Sequence, residues 1–468
     1  MPVEIPHHLA PARIEFFPQP LSISPPKTEN LVNPQYTQPD GLLSLIGLVS
    51  DLRNVGLQVV SLAGGLPPTS PFLDGLWQDY YLHSAKELAQ KIPTAEALQY
   101  GNSAGNLRFR QQAAKDVSIL TGKEIKPADI LTVPGSQYAI SNALLTFCAG
   151  ERKVVLTPVP TYSAFLEAAA VPMNIPVIGV ESDEQGMLPA SLRKTILTLK
   201  EKGVNPGLAY TMIFGNPTGG VMSDERGAEL NAICKEYGIP MVADYAYNRL
   251  STNSSSATPT IPYLDDNVIL LFTASKTYAP GERLGWAVIP DPEKYKRMQA
   301  TKQAQMIMSP PPPELELLHF IETGAYEARI PQIAARYQLG IDEGMKAVHN
   351  NSNIFRVVRP DAGMFLWVEV PKGLSTHAHL GRILHDHHVA YSPGTWFQPR
   401  QLYLPDGTLV GPEMQDNFMR LCVVTENPET VTTAINTLAQ AFREIAEQEG
   451  ISMFAESSGQ PYTLSILR

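Results

Sequence analysis

The sequence predicts an α/β protein, a mostly parallel sheet covered by helices and joined to a second, smaller domain. Three observations lead there. Between about residues 105 and 290, short apolar runs alternate with amphipathic segments at helical spacing. Runs such as 130–133 are short and apolar enough to read as buried strands. The 468 residues also exceed what one hydrophobic core usually organises, so two domains, or one large domain with a lobe, are expected.

The elements follow in order. Residues 1 to about 40 are rich in proline and polar residues, including Pro18, Pro20, Pro25 and Pro26. They cannot be helical throughout and read as an arm that wraps over the surface or a partner subunit. Residues 41–56 carry Leu42, Leu45, Ile46 and Val49 at helical spacing, which predicts a short amphipathic helix. A short strand over 59–62 precedes the turn Gly64-Gly65-Leu66-Pro67. Strands are expected at 130–133, 153–156, 208–213, 240–243 and 268–272, with a helix at 138–147 and an amphipathic segment at 223–237. The proline run 310–313 acts as a breaker, and 331–350 reads as a long connecting helix. Strands at 363–368 and 419–424 belong to the smaller C-terminal domain. The expected division is therefore 1–65, an arm and part of the small domain; 66–330, the large domain; and 331–468, the connecting helix and small domain.

Composition narrows the function classes. Hydrophobic content of 44% and charged content of 18% describe a well-packed soluble globule. A net charge of −10 argues against general nucleic-acid binding. Cys148, Cys234 and Cys422 are too few and scattered for a disulfide framework or a zinc site, and their apolar surroundings suit buried, reduced thiols. No apolar run is long enough to span a membrane, and the N-terminus lacks the layout of a secretion signal. A cytoplasmic enzyme without membrane attachment is the expectation.

The chemistry concentrates around Lys276. It lies between Ser275 and Thr277, with Thr273 before it and Arg283 after the Pro280-Gly281 turn. A desolvated lysine amine forms Schiff bases with carbonyl compounds, and arginine's rigid fork matches a phosphate. A strand end followed by a solvated Pro-Gly loop explains this segment equally well on its own. Other candidates carry similar pairs of readings. Gly135-Ser136-Gln137 falls where a strand turns into a helix, a natural phosphate site or simply an N-cap serine. Asn216 and Pro217 follow another strand and read otherwise as a plain loop. Asp244 ends the strand 240–243, where α/β sheets bind ligands, yet an aspartate there is also a common helix cap. Arg420 is one charge among apolar neighbours, expensive to bury unless paired, or else an edge-strand arginine facing water.

These motifs, in this order and spanning about residues 61 to 428, resemble the signature of fold-type I pyridoxal 5'-phosphate (PLP) dependent aminotransferases of class I/II. The aminoadipate/kynurenine and aromatic branches are closest in feel. The resemblance implies a large domain with a seven-stranded, mostly parallel sheet plus a smaller α+β domain. It implies that Lys276 holds the cofactor as an aldimine and then moves the substrate α-proton through a carbanion/quinonoid stage. It assigns Ser136, Gln137, Thr273, Ser275 and Arg283 to the cofactor phosphate, Asp244 to the pyridine nitrogen, and Asn216 with Tyr247 to the phenolic oxygen. Tyr162 would stack on the ring with Ala246 supporting the opposite face. Arg420 would grip the substrate α-carboxylate, with Gly65 and Asn216 also lining the substrate position. Tyr100 resembles the tyrosine that reaches the phosphate of a neighbouring subunit, so a homodimer with shared active sites is expected. Substrates would be an L-amino acid and a 2-oxo acid. No arginine appears in the 41–56 helix before Arg53, so a neutral or aromatic side chain is favoured over a second carboxylate. Gly215, where the family usually has Gln or Asn, is expected to open space beside the substrate.

Rival readings keep the cofactor and change the reaction: a lyase, a β- or γ-replacement enzyme, a cyclase or a synthase. A non-catalytic PLP-binding regulator is a further alternative. Gly101-Asn102-Ser103-Ala104-Gly105 fits a hydrolase nucleophile elbow but follows no clear strand. His377, His379, His385, His387 and His388 suggest a metal cluster, but they fall on an amphipathic helix pointing different ways, so no metal site is expected.

Overall fold

The computed structural model describes residues 41–54, 56–68, 85–150, 153–170, 173–247, 249–250, 260–404 and 406–455. The expected arm over residues 1–40 lies outside them. Helix α1 spans Leu42–Asn54 and buries Leu42, Leu45 and Val49, the spacing read from the sequence. The large sheet has seven strands: β1 (Ile130–Val133), β2 (Lys153–Pro158), β3 (Val177–Val180), β4 (Asn205–Met212), β5 (Met241–Asp244), β6 (Val268–Thr273) and β7 (Gly285–Val288). Their spatial order is β1-β7-β6-β5-β4-β2-β3. Only β7 runs antiparallel to its neighbours.

Strand β6, Val-Ile-Leu-Leu-Phe-Thr, is buried at all six positions. Its alternate side chains enter two different cores, Ile269 and Leu271 one, Val268, Leu270 and Phe272 the other. A strand buried on both faces has no polar face to show, which is why it reads as continuously apolar. The first core is closed by α2 (Ser136–Cys148) and α3 (Ser163–Ala170), through Ile140, Leu144, Phe147, Phe165 and Leu166. The opposite core receives Val117, Ile196 and Ile233 from other helices.

A second, antiparallel sheet holds β8 (Arg356–Val357), β9 (Phe365–Glu369), β10 (Ser392–Pro393) and β11 (Phe418–Cys422), in the order β8-β9-β11-β10. Helices α4 (Ala325–His349) and α5 (Pro428–Glu449) pack in one core with it through Ile341, Val348, Ile435 and Phe442. Val60–Ser61 pairs in parallel with Val389–Ala390, and the Cys422 N–H donates to the Leu62 carbonyl at 2.7 Å. These bonds carry the segment after α1 across the second sheet and bring 63–65 beside Arg420.

The departures from the sequence reading have local causes. The prolines at 310–313 start a helix, Pro311–Glu322, because proline is tolerated in a first turn where N–H groups have no partner anyway. The connecting helix begins at Ala325 and contains Pro331; buried Ile330, Ile333 and Tyr337 hold it across the lost hydrogen bond. Strands β3 and β7, only four residues each, are absent from the sequence reading. No helix among the described residues is long and apolar enough to cross a membrane.

Candidate active site

The register of the parallel strands explains the site. Met212 pairs with Asp244, and Asp244 with Leu271, so these side chains share one face of the sheet. Period-two alternation adds Tyr210 and Thr273 to that face, the one covered by α2 and α3. At the carboxyl ends of these strands lies a cavity of about 300 Å³. It is lined by every expected site residue except Tyr100: Gly65, Ser136, Gln137, Tyr162, Asn216, Asp244, Tyr247, Thr273, Ser275, Lys276, Arg283 and Arg420.

One end is a cup of donors. Gly135, at φ +80°, is the N-cap of α2, so Ser136 is the first helical residue rather than the cap. No side chain caps this helix start, leaving its N–H groups for an anion. The Arg283 guanidinium closes the cup, with Nη1 3.4 Å from Ser275 Oγ and 2.9 Å from the Pro280 carbonyl. Thr273 Oγ1 donates to Ser275 Oγ at 2.9 Å and accepts from the Ser275 N–H at 3.2 Å. A Cβ on Gly135 would stand 2.6 Å from Arg283 Nη2 at a φ of +80°, so a side chain there would strain the backbone and push the guanidinium aside.

The middle holds Lys276 and Asp244. Lys276 Nζ donates to the Gly65 carbonyl at 2.8 Å. Burial lowers its pKa to about 8; the Cys422 thiol opposes this, and Arg420 and Arg283 add to it. Asp244, the last residue of β5, is buried with its pKa raised to about 6 by desolvation. Its Oδ2 accepts from the Tyr210 hydroxyl at 2.9 Å, while Oδ1 has no partner. Tyr210 is itself fully buried and stacked on Phe165 at 4.1 Å. The Tyr162 phenol, its pKa raised to about 12 chiefly by burial, and Ala246 line the same space.

At the other end Arg420, 1% exposed, lies between the Phe365 and Phe397 rings, 4.0 and 4.7 Å from their centroids. It donates to Asn216 Oδ1 at 3.1 Å and to the Ala63 carbonyl at 2.7 Å, and its Nε has no partner. Asn216 Nδ2 in turn donates to the Tyr247 hydroxyl at 3.5 Å. A buried guanidinium answered only by neutral oxygens is several kcal/mol short of compensation, about what a bound carboxylate supplies.

Tyr100 is 76% exposed on the surface, outside its own chain's cavity, as a residue expected to reach a neighbouring subunit would be. Other sequence features end elsewhere. Gly215 does not open the substrate space. A Cβ there would meet Thr218 Oγ1 at 2.5 Å, and the residue faces a separate small cavity beside Pro160 and Met222. Ser103 follows the helix Thr94–Leu98 and a loop, and its Oγ accepts from Gln299 and Gln303, both at 2.8 Å, with no histidine attached. The histidines disperse: His377 bonds Thr395, His379 faces Glu449 and His385 faces Asp386. Sequence reasoning missed Tyr210 and Glu167; a tyrosine inside an apolar strand, one strand over from Asp244, was the available signal.

Residues 72–438 match the family described as aminotransferase class I and II. The chain belongs to that family. It is 27% identical over 390 residues to aromatic-amino-acid aminotransferase 1 of Thermococcus litoralis, across 82% of this chain and 88% of the relative. A crystal structure of Pyrococcus horikoshii kynurenine aminotransferase, in complex with PMP, superimposes with a TM-score of 0.73 at 29% identity, over 86% of this chain and 94% of that one. LysN, the α-aminoadipate aminotransferase of Thermus thermophilus complexed with N-(5'-phosphopyridoxyl)-L-leucine, gives 0.70 at 25% identity, over 85% and 95%. The protein is thus a PLP-dependent aminotransferase of fold type I. Its cavity fits the cofactor: a donor cup for a phosphate, an unpartnered buried carboxylate oxygen for a protonated ring nitrogen, and a desolvated lysine for the aldehyde.

Proposed function

We propose that this aminotransferase moves the amino group of a neutral or aromatic L-amino acid to a 2-oxo acid, with Lys276 as the proton-transferring base. The observation that carries the substrate class is the outer wall of the cavity, formed by Leu42, Leu43, Ile46, Leu66 and Phe365. The three basic residues that line the cavity among the described residues, Lys276, Arg283 and Arg420, already have tasks. Arg53, at the far end of α1, donates to the Val59 carbonyl and to Glu426.

The bound cofactor supplies an electron sink for the bond broken at the substrate α-carbon. Arg420 orients the substrate by its α-carboxylate, using the free Nε edge. Asp244 would keep a proton on the ring nitrogen of the bound cofactor, and Tyr210 holds Asp244 in place. Lys276, with a pKa near 8, exists partly as the free amine at neutral pH, which lets it take the α-proton and return it. Tyr162 and Ala246 line the cavity where they would lie against the faces of the bound cofactor's ring. The exposed Tyr100, beside exposed Leu98 and Leu107, supports a second copy completing the site from across a dimer. Three buried free thiols support a reducing compartment such as the cytoplasm.

The test is a single half-reaction. Holoenzyme is mixed with phenylalanine, leucine or glutamate and no 2-oxo acid, and the cofactor mass is read. Conversion to the pyridoxamine form with phenylalanine and leucine is expected; conversion with glutamate alone refutes the substrate class.

A further inference from the structure

The apolar outer wall carries one charged group. Glu167, on α3, lines the cavity at the end where α1 begins, remote in sequence from everything else on that wall. Helix α1 has no acidic residue in its first turn. Its first N–H, that of Leu42, lies at the Glu167 carboxylate; burial raises the Glu167 pKa, and this N–H opposes the rise. Gly41 is what allows this approach, since a Cβ there would lie 2.8 Å from Glu167 Oε1. The carboxylate thus sits where the partial positive charge of the helix start faces the substrate space.

We propose that Glu167 is a specificity-determining residue that excludes substrates bearing a second carboxylate. Two effects act together. The chain's own carboxylate already occupies the start of α1, so a substrate's distal carboxylate cannot settle on that helix end. A second anion in the same cavity is repelled, and among the described residues no lining base is left to offset it. Because donor and acceptor occupy the same cavity in turn, the exclusion extends to both: the 2-oxo acid that accepts the amino group also lacks a distal carboxylate. This inference rests on the proposed reading of the cavity as an amino-acid site with an apolar outer wall.

The experiment compares wild-type and Glu167→Gln holoenzymes. Glutamine keeps the volume and an oxygen for the Leu42 N–H while removing the charge. Kcat/KM is measured for leucine and glutamate as donors, and for pyruvate and 2-oxoglutarate as acceptors. The expected result is a rise of at least tenfold in the glutamate-to-leucine and 2-oxoglutarate-to-pyruvate ratios, with leucine and pyruvate within about threefold of wild type. Glu167→Asp, charged but shorter, is expected to keep the wild-type preference. Ratios unchanged in Glu167→Gln, in a wild type that prefers leucine, overturn the role of Glu167 and leave the neutral-substrate reading standing. A wild type that already prefers glutamate overturns both. The cofactor absorbance of each variant verifies that the site is assembled.

Discussion

Replacing Tyr210 by phenylalanine isolates one hydroxyl in this site. The ring keeps its stack on Phe165 at 4.1 Å, so packing is conserved and only the 2.9 Å hydrogen bond to Asp244 Oδ2 is lost. Hydrogen bonds to charged groups contribute about 1.5–3 kcal/mol, and one pKa unit corresponds to about 1.4 kcal/mol. The bond favours the ionised carboxylate, so its loss raises the Asp244 pKa, already near 6 in the cofactor-free protein, by about one to two units. At pH 7 wild-type Asp244 is mostly ionised, whereas the variant carboxyl is about half or more protonated. A protonated Asp244 cannot pair with a protonated ring nitrogen. The PLP dissociation constant of Tyr210→Phe is therefore expected to rise about two- to tenfold at pH 7, and to recover as pH approaches 9. Kcat should fall in parallel. The assay is a PLP titration of cofactor-free enzyme between pH 6 and 9, followed by cofactor absorbance. A purely structural tyrosine would give a loss independent of pH. Wild-type affinity across the whole range refutes the argument.

Four further outcomes follow. Lys276→Ala should hold PLP without a covalent link, so borohydride reduction fixes no cofactor mass to the protein, and turnover is lost; wild-type-like activity in this variant sinks the assignment. With the wild-type amine near pKa 8, covalent capture of PLP should accelerate with pH to about 8 and then level, whereas a rate still climbing tenfold per unit towards pH 10 would indicate an ordinary lysine. Arg420→Gln should lower kcat/KM for amino acids by about 30-fold or more, since losing one partner of a buried charge pair costs about 2–5 kcal/mol, while PLP affinity changes little. Gly135→Ala places a methyl 2.6 Å from Arg283 Nη2 at a φ of +80°, and the strain of about 1–3 kcal/mol should appear as weaker PLP binding and a lower melting temperature.

The sequence alone determined the parallel α/β architecture, because strands buried on both faces must be apolar throughout, as 268–272 are. It also exposed the motif residues, since Asp244 and Arg420 are polar groups in stretches otherwise built to be dry and Lys276 stands among small hydroxyl residues. The strand Gly285–Val288 escaped because Gly-Trp-Ala-Val continues directly from the Pro280-to-Arg283 turn and has no aliphatic run like that of 130–133 to separate strand from loop. Gly215 misled for a related reason: a missing side chain says where space could be, and only the fold shows Thr218 filling it. Tertiary structure alone joined Tyr210 to Asp244 across 34 residues and brought Glu167 to the start of α1, 125 positions earlier. Strand register and helix packing set those meetings through contacts remote in the chain, and local sequence carries no record of which distant residue it will face.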